Sequence, residues 1–80
     1  MRYKRNRIQW YARRASDGSR RWIIRADGIG RLGYVYAAGR YWGITLHVED
    51  GEDVELGKTI GRDDAISELV GYWEVRRNGT

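Results

Sequence analysis

The spacing of the turn signals constrains this chain more than any motif it carries. Clusters of Gly, Asp and Ser recur at Ser16-Asp17-Gly18-Ser19, Asp27-Gly28, Ala38-Gly39 and Glu49-Asp50-Gly51-Glu52-Asp53, and the segments between them are rich in Trp, Tyr, Ile and Val with a period of two. A period of two sends alternate side chains to opposite faces, so each segment reads as a strand, and connections this short join neighbours antiparallel. Ile8, Trp10 and Ala12 alternate with Gln9, Tyr11 and Arg13 in a first strand. Arg20 to Ala26 sets Trp22, Ile24 and Ala26 against Arg21, Ile23 and Arg25, which gives one apolar and one largely cationic face. Leu32 to Ala37 makes a third strand. Arg40 to Val48 makes a fourth, half-buried, with Trp42, Ile44, Leu46 and Val48 opposite Tyr41, Gly43, Thr45 and His47. Val54 and Leu56 suggest a short fifth strand ending at Gly57.

From Arg62 the period lengthens. Ala65, Ile66, Leu69, Val70 and Trp73 form one stripe of an α-helix, with Asp63 and Asp64 in its first turn and Arg76 and Arg77 just past its last, both favourable to the helix dipole. The expected fold is therefore α+β: an antiparallel four- or five-stranded meander sheet packed by one C-terminal helix. Residues 1–80 are expected to form a single domain, with residues 1–7 a flexible basic N-terminal arm. Eighty residues barely suffice for one core, and without cysteine no disulfide supports it. Covering the sheet with the helix is what makes so small a sheet stable.

Charge is divided along the chain. Residues 1–25 hold nine basic residues against Asp17 alone, a net +8, whereas residues 26–75 hold ten acids against four bases, a net −6. Arg76 and Arg77 restore the overall +4. The first third is thus suited to phosphates or another acidic surface, and the remainder repels them. Of the basic residues 13 are arginine, which matches bidentate phosphate or base recognition and equally the codon bias of a GC-rich genome, so position carries the inference and identity does not. The absence of cysteine removes any need for an oxidising compartment, and no apolar run approaches the roughly 20 residues of a membrane span. A soluble, cytoplasmic protein without membrane contact is expected.

No motif supports catalysis. Gly28-Ile29-Gly30-Arg31-Leu32-Gly33 matches G-x-G-x-x-G, but a dinucleotide site needs a helix after the last glycine, and Tyr34-Val35-Tyr36 is a strand. A kinase reading fails for want of a catalytic loop and a metal-binding Asp in the 45 residues after Val35. These glycines are better suited to a hairpin and a bulge. His47 is the sole histidine and has no cysteine to share a metal with, and Glu49 to Asp53 lacks the alternating ligands of a calcium loop. Ser16, Ser19 and Ser67 have no evident base. The chain reads as a non-enzymatic binder with no cofactor and no metal.

Trp22, Arg25, Asp27-Gly28, Leu32-Gly33, Val35, Trp42, Gly51, Gly57, Arg62, Ala65 and Leu69 together resemble a pattern common in small uncharacterised single-domain proteins of actinobacteria and their phages, over a little more than half the chain. The order of strands followed by a helix opening on Arg-x-x-Ala-x-x-x-Leu is also similar to the N-terminal arm-binding domains of phage tyrosine integrases, which lay a three-stranded sheet in the major groove. Those strands are usually lysine-rich, whereas strands four and five here end in acids. The similarity therefore implies that the first hairpin would be the groove-binding face, and that the cytoplasm of a host cell would be the place of action.

Nucleic-acid binders combine arginines that neutralise phosphate with aromatic rings that stack on bases. The expected site is the basic N-terminal hairpin: Arg5, Arg7, Arg13, Arg14, Arg20, Arg21 and Arg25 on phosphates, with Tyr11 or Tyr3 stacking, and DNA ahead of RNA as the ligand. A structural alternative makes Trp10 and Trp22 core residues and the arginines a solvated face. The competing functional reading is a phage-encoded interaction protein that docks on and modulates a host protein through this cationic face or through Tyr34, Tyr36 and Tyr41. A chain with no proline to blunt a sheet edge can be a monomer or a homodimer joined along one.

Overall fold

The computed structural model describes the backbone of residues 8–78 and the side chains of residues 8–76. Tyr3, Arg5, Arg7 and the proposed basic arm lie outside the described residues. The elements run β1 (Trp10–Arg14), β2 (Arg21–Ala26), β3 (Gly30–Ala38), β4 (Tyr41–Leu46), β5 (Val54–Thr59) and α1 (Arg62–Asn78). The five strands lie side by side in sequence order, every pair antiparallel, so the sheet is a simple meander and the fold is α+β. None of the described helices is long and apolar enough to cross a membrane.

Strand boundaries differ from the sequence reading where glycine and bulges intervene. β3 begins at Gly30, two residues before the first apolar position, and β5 runs through Gly57 to Thr59. β4 ends at Leu46, although Val48 still packs against the core. Arg20 belongs to the turn and not to β2, and α1 continues to Asn78, so Arg76 and Arg77 sit within its last turn. Each of β3 and β5 carries one unpaired residue. Ile24 pairs with Gly33 and Arg25 with Arg31, which leaves Leu32 over; Ile44 pairs with Gly57 and Thr45 with Glu55, which leaves Leu56 over.

The Leu32 bulge has a purpose in the packing. Its side chain is fully buried in the core, and its carbonyl accepts hydrogen bonds from the His47 backbone N–H (2.9 Å) and from Trp73 Nε1 on α1 (3.0 Å). One irregular residue thus ties β3 to the end of β4 and to the helix at once.

Register assigns the two faces of the sheet, because paired residues project to the same side. Ala12, Ile24 and Leu46 share one side, as do Trp22, Val35 and Ile44. The helix covers that side with Ala65, Ile66, Leu69 and Val70, and all four are buried. It packs over β3, β4 and β5. At its start the Arg62 guanidinium lies over the Trp22 ring, 4.9 Å from the centroid, and toward its end Glu74 Oε2 accepts from the Ile8 backbone N–H at 3.3 Å. Because the helix sits toward β5, edge strand β1 is poorly covered: Ile8 is buried, but Trp10, expected on the same apolar face, is 44% exposed.

Candidate nucleic-acid interface

Among the described residues, no layer covers the side of the sheet away from α1. Three cross-strand rows furnish it. Tyr11, Arg25 and Arg31 align on β1 to β3; Arg13, Ile23, Tyr34, Thr45 and Glu55 align across all five strands; Arg21, Tyr36, Gly43 and Lys58 align on β2 to β5. Cations crowd the β1–β3 end, aromatic rings lie mid-sheet, and Glu55 and Lys58 stand at the β5 end.

At the β1–β3 end, Arg13, Arg14, Arg25 and Arg31 line a concavity of about 440 Å³ that has Ile23 in its wall. Ion pairs among the described residues join Arg21 to Asp17 (2.8 Å) and Arg62 to Asp63 (3.6 Å), and His47 Nδ1 lies 3.1 Å from Asp53 Oδ1. None of the four arginines of the concavity, nor Arg20, has a carboxylate within reach among those residues. Guanidinium groups held close together without counter-charges repel each other, and an anion that enters relieves the repulsion.

Arg21 is held differently. Asp17 in the β1–β2 turn accepts from Ser19 Oγ (2.6 Å), the Ser19 backbone N–H (2.9 Å) and Arg21 Nη2 (2.8 Å). The Ser19 side-chain hydrogen bond, reinforced by the Ser19 amide and the arginine's charge, holds the Asp17 carboxyl below its usual range. Positioned in this way, the Arg21 guanidinium lies 5.0 Å from the centroid of Tyr34, with its Nε shielded from solvent and without a hydrogen-bond acceptor among the described residues.

Tyr36 lies beside Tyr34, the ring centroids 6.0 Å apart at 50°. Its ring leans across to β4, where a methyl group on Gly43 would overlap it, so glycine is what lets the ring lie low on the sheet. Its hydroxyl donates to Glu55 Oε1 at 2.9 Å, and this bond to a carboxylate pushes the phenol's pKa up. Both ends of the Tyr36 side chain are therefore fixed. The sequence predicted a half-buried β4, but Gly43 through Leu46 are buried on both sides because these two rings roof the open face over Gly43 and Thr45. Arg20, Arg21, Tyr34, Tyr36, Thr45 and Glu55 border a second concavity, about 430 Å³.

Of the expected phosphate contacts, Arg13, Arg21 and Arg25 share the open face with Tyr11, which is 50% exposed. Arg14 pairs with Trp22 and so projects to the helix side of edge strand β1, reaching the first concavity only from its margin. Arg20 borders the second concavity from the turn. Arg5, Arg7 and Tyr3 fall outside the described residues. Sequence reasoning missed Arg31, hidden inside a glycine-rich stretch read as a connection, and it assigned Tyr34 and Tyr36 to a protein contact. The signal for both was the period of two continuing back from Val35 to Gly30, once allowance is made for one bulged residue. No family model, curated protein or solved structure matches this chain, so its site rests on geometry and chemistry alone.

Proposed function

We infer that this protein is a non-enzymatic nucleic-acid binder whose interface is the open face of β1–β3 together with the β1–β2 turn. The observation that carries this reading is the gathering of Arg13, Arg25 and Arg31 beside two tyrosine rings on one face of the sheet, where among the described residues none of the three is ion-paired and no other layer covers them. The arginines neutralise phosphates and release their counterions, while the rings offer flat surfaces to bases. Glu55 and the acidic loop from Glu49 to Asp53 confine the backbone to the β1–β3 end by repulsion.

The test is fluorescence anisotropy on labelled duplex DNA, single-stranded DNA and RNA at about 50 mM salt, where phosphate contacts are weakly screened. The double substitution Arg13→Glu with Arg25→Glu should weaken binding at least about tenfold and leave thermal unfolding near wild type, because both side chains are exposed. Arg40→Glu, in the turn between β3 and β4, serves as the control and should change little. Equal affinity in the double variant and the wild type would remove this face from the mechanism.

A second reading, docking on a host protein, is favoured by a different surface. Val54 and Leu56 on edge strand β5 and Ile60 just after it are exposed, and Ile60 reaches 74%. A stoichiometric protein partner that survives nuclease treatment and is lost in an Ile60→Asp variant would support docking there.

A further inference from the structure

We propose that the concavity between Arg21 and Glu55 takes one unpaired nucleotide, which makes single-stranded nucleic acid the substrate class of the interface. This inference rests on the proposed function and deepens it. The two walls of the concavity differ in charge: Arg20 and Arg21 lie on the β2 side with the Asp17 carboxylate that pairs with Arg21, one positive charge in excess, and Glu55 lies on the β5 side, with Tyr34 and Tyr36 between them. A nucleotide has the same polarity, with an anionic phosphate at one end and, at the other, a planar base whose edge carries N–H donors that a carboxylate accepts. One face of the Tyr34 ring is already occupied by the Arg21 guanidinium. Tyr36 is the ring left for a base. Gly43 beneath it and Glu55 at its hydroxyl hold it low, so little side-chain freedom is lost when a base stacks on it.

A paired base cannot reach this shelf, because in a duplex both of its faces are covered by neighbouring pairs, and only an unstacked base offers a free face. The source of the nucleotide follows from what surrounds the concavity. Arg13, Arg25 and Arg31 lie beyond it on the same face, more cation than one mononucleotide can use, and they continue the path for the phosphates of a strand.

The experiment compares, by anisotropy at matched salt, a labelled 12-mer single strand, the same strand annealed into a duplex, and a nucleoside monophosphate used as competitor. Wild type, Tyr36→Ala, Tyr36→Phe and Gly43→Ala are each checked for folding by circular dichroism. The single strand should bind more tightly than the duplex. Tyr36→Ala should weaken the single strand about 5- to 150-fold, the range for loss of one stacked base, with its salt slope unchanged because no phosphate contact is lost. Tyr36→Phe keeps the ring and should lose little. Gly43→Ala keeps every interface side chain but displaces the ring, and should weaken the single strand and leave the duplex alone; it decides the matter if Tyr36→Ala unfolds. Equal binding of strand and duplex with Gly43→Ala indistinguishable from wild type would overturn the nucleotide site and leave the phosphate surface standing. A monophosphate that binds in a Tyr36-dependent way while the strand does not would overturn the strand as its source. Failure of every nucleic acid to bind would remove the proposed function itself.

Discussion

Single residues in this molecule do different work even when they are the same amino acid, and the glycines of β3 and β4 illustrate it. Gly33 has a φ of +154°, and a Cβ there would overlap the Thr45 carbonyl oxygen on β4, so the two strands approach as closely as they do only because no side chain intervenes. Backbone cannot give way locally without breaking the ladder. Gly33→Ala should therefore cost about 3 kcal/mol, at the upper end of overpacking penalties, a large share of what a domain this small can have. Urea denaturation reads it as a lower midpoint with an unchanged m-value. A loss under about 0.5 kcal/mol, the level of an ordinary surface change, would mean that the strands separate freely there. Gly43 meets a ring instead, and a ring can swing, so alanine at that position should disturb the interface more than the fold.

Among the elements, α1 decides whether the sheet survives. Its buried stripe of Ala65, Ile66, Leu69 and Val70 faces Leu32, Val35 and Ile44 in one core, and Leu69 is wholly inaccessible. Leu69→Ala should cost about 2–5 kcal/mol in lost transfer energy and residual cavity, enough to leave the chain partly unfolded at 37 °C. Calorimetry checks this directly, and a melting temperature within a few degrees of wild type would show that the helix contributes little to the core. That stripe, continued to Trp73, was legible in the sequence, since 3.6-residue spacing over more than two turns has no competing reading, and so were the five segments marked off by Asp-Gly and Ala-Gly turns. A bulge was expected within Gly28–Gly33 and one lies there, but which residue it displaces was not legible, and the bulge at Leu56 was not expected. A bulge at Leu32 breaks the period of two locally, so β3 seemed to start late and Arg31 was lost from the site. The alternative that made Trp10 a core residue fails for another reason. The alternation of Trp10 with Tyr11 is correct, but burial depends on how far the helix reaches across the sheet, and no local pattern encodes that distance. Hairpin chemistry likewise pointed to Arg13, Arg21 and Arg25, whereas the tether from Asp17 to Arg21 and the tether from Tyr36 to Glu55 join residues whose proximity only the register creates.

On the scale of the whole molecule, the uneven charge along the chain becomes an uneven charge in space. Because a meander keeps its strands in sequence order, a chain that is basic first and acidic later gives a sheet that is basic at the β1 end and acidic toward β5. The helix start belongs to the acidic side: Trp42, Arg62, Asp63 and Asp64 line the depression there, and the two carboxylates oppose any anion the helix dipole would attract. Under the proposed function a nucleic-acid backbone would follow the basic end. If Arg13, Arg14, Arg20, Arg25 and Arg31 each neutralise one phosphate of a single strand, log K should fall with log salt at a slope near −3.5, at about 0.7 per phosphate; on duplex DNA the same contacts would give about −4.5. Arg25→Ala should then flatten the single-strand slope by about 0.7, and Arg40→Ala, on the opposite side of β3 in the sheet order, should leave it unchanged. Titrations at four salt concentrations resolve that difference. The slope separates two ways in which a basic protein can hold nucleic acid. An affinity that falls with Arg25→Ala while the slope stays fixed would mean that this arginine shapes the face without touching phosphate, and an unchanged slope in all five single variants would move the phosphate contacts off the sheet, to the basic residues before Ile8.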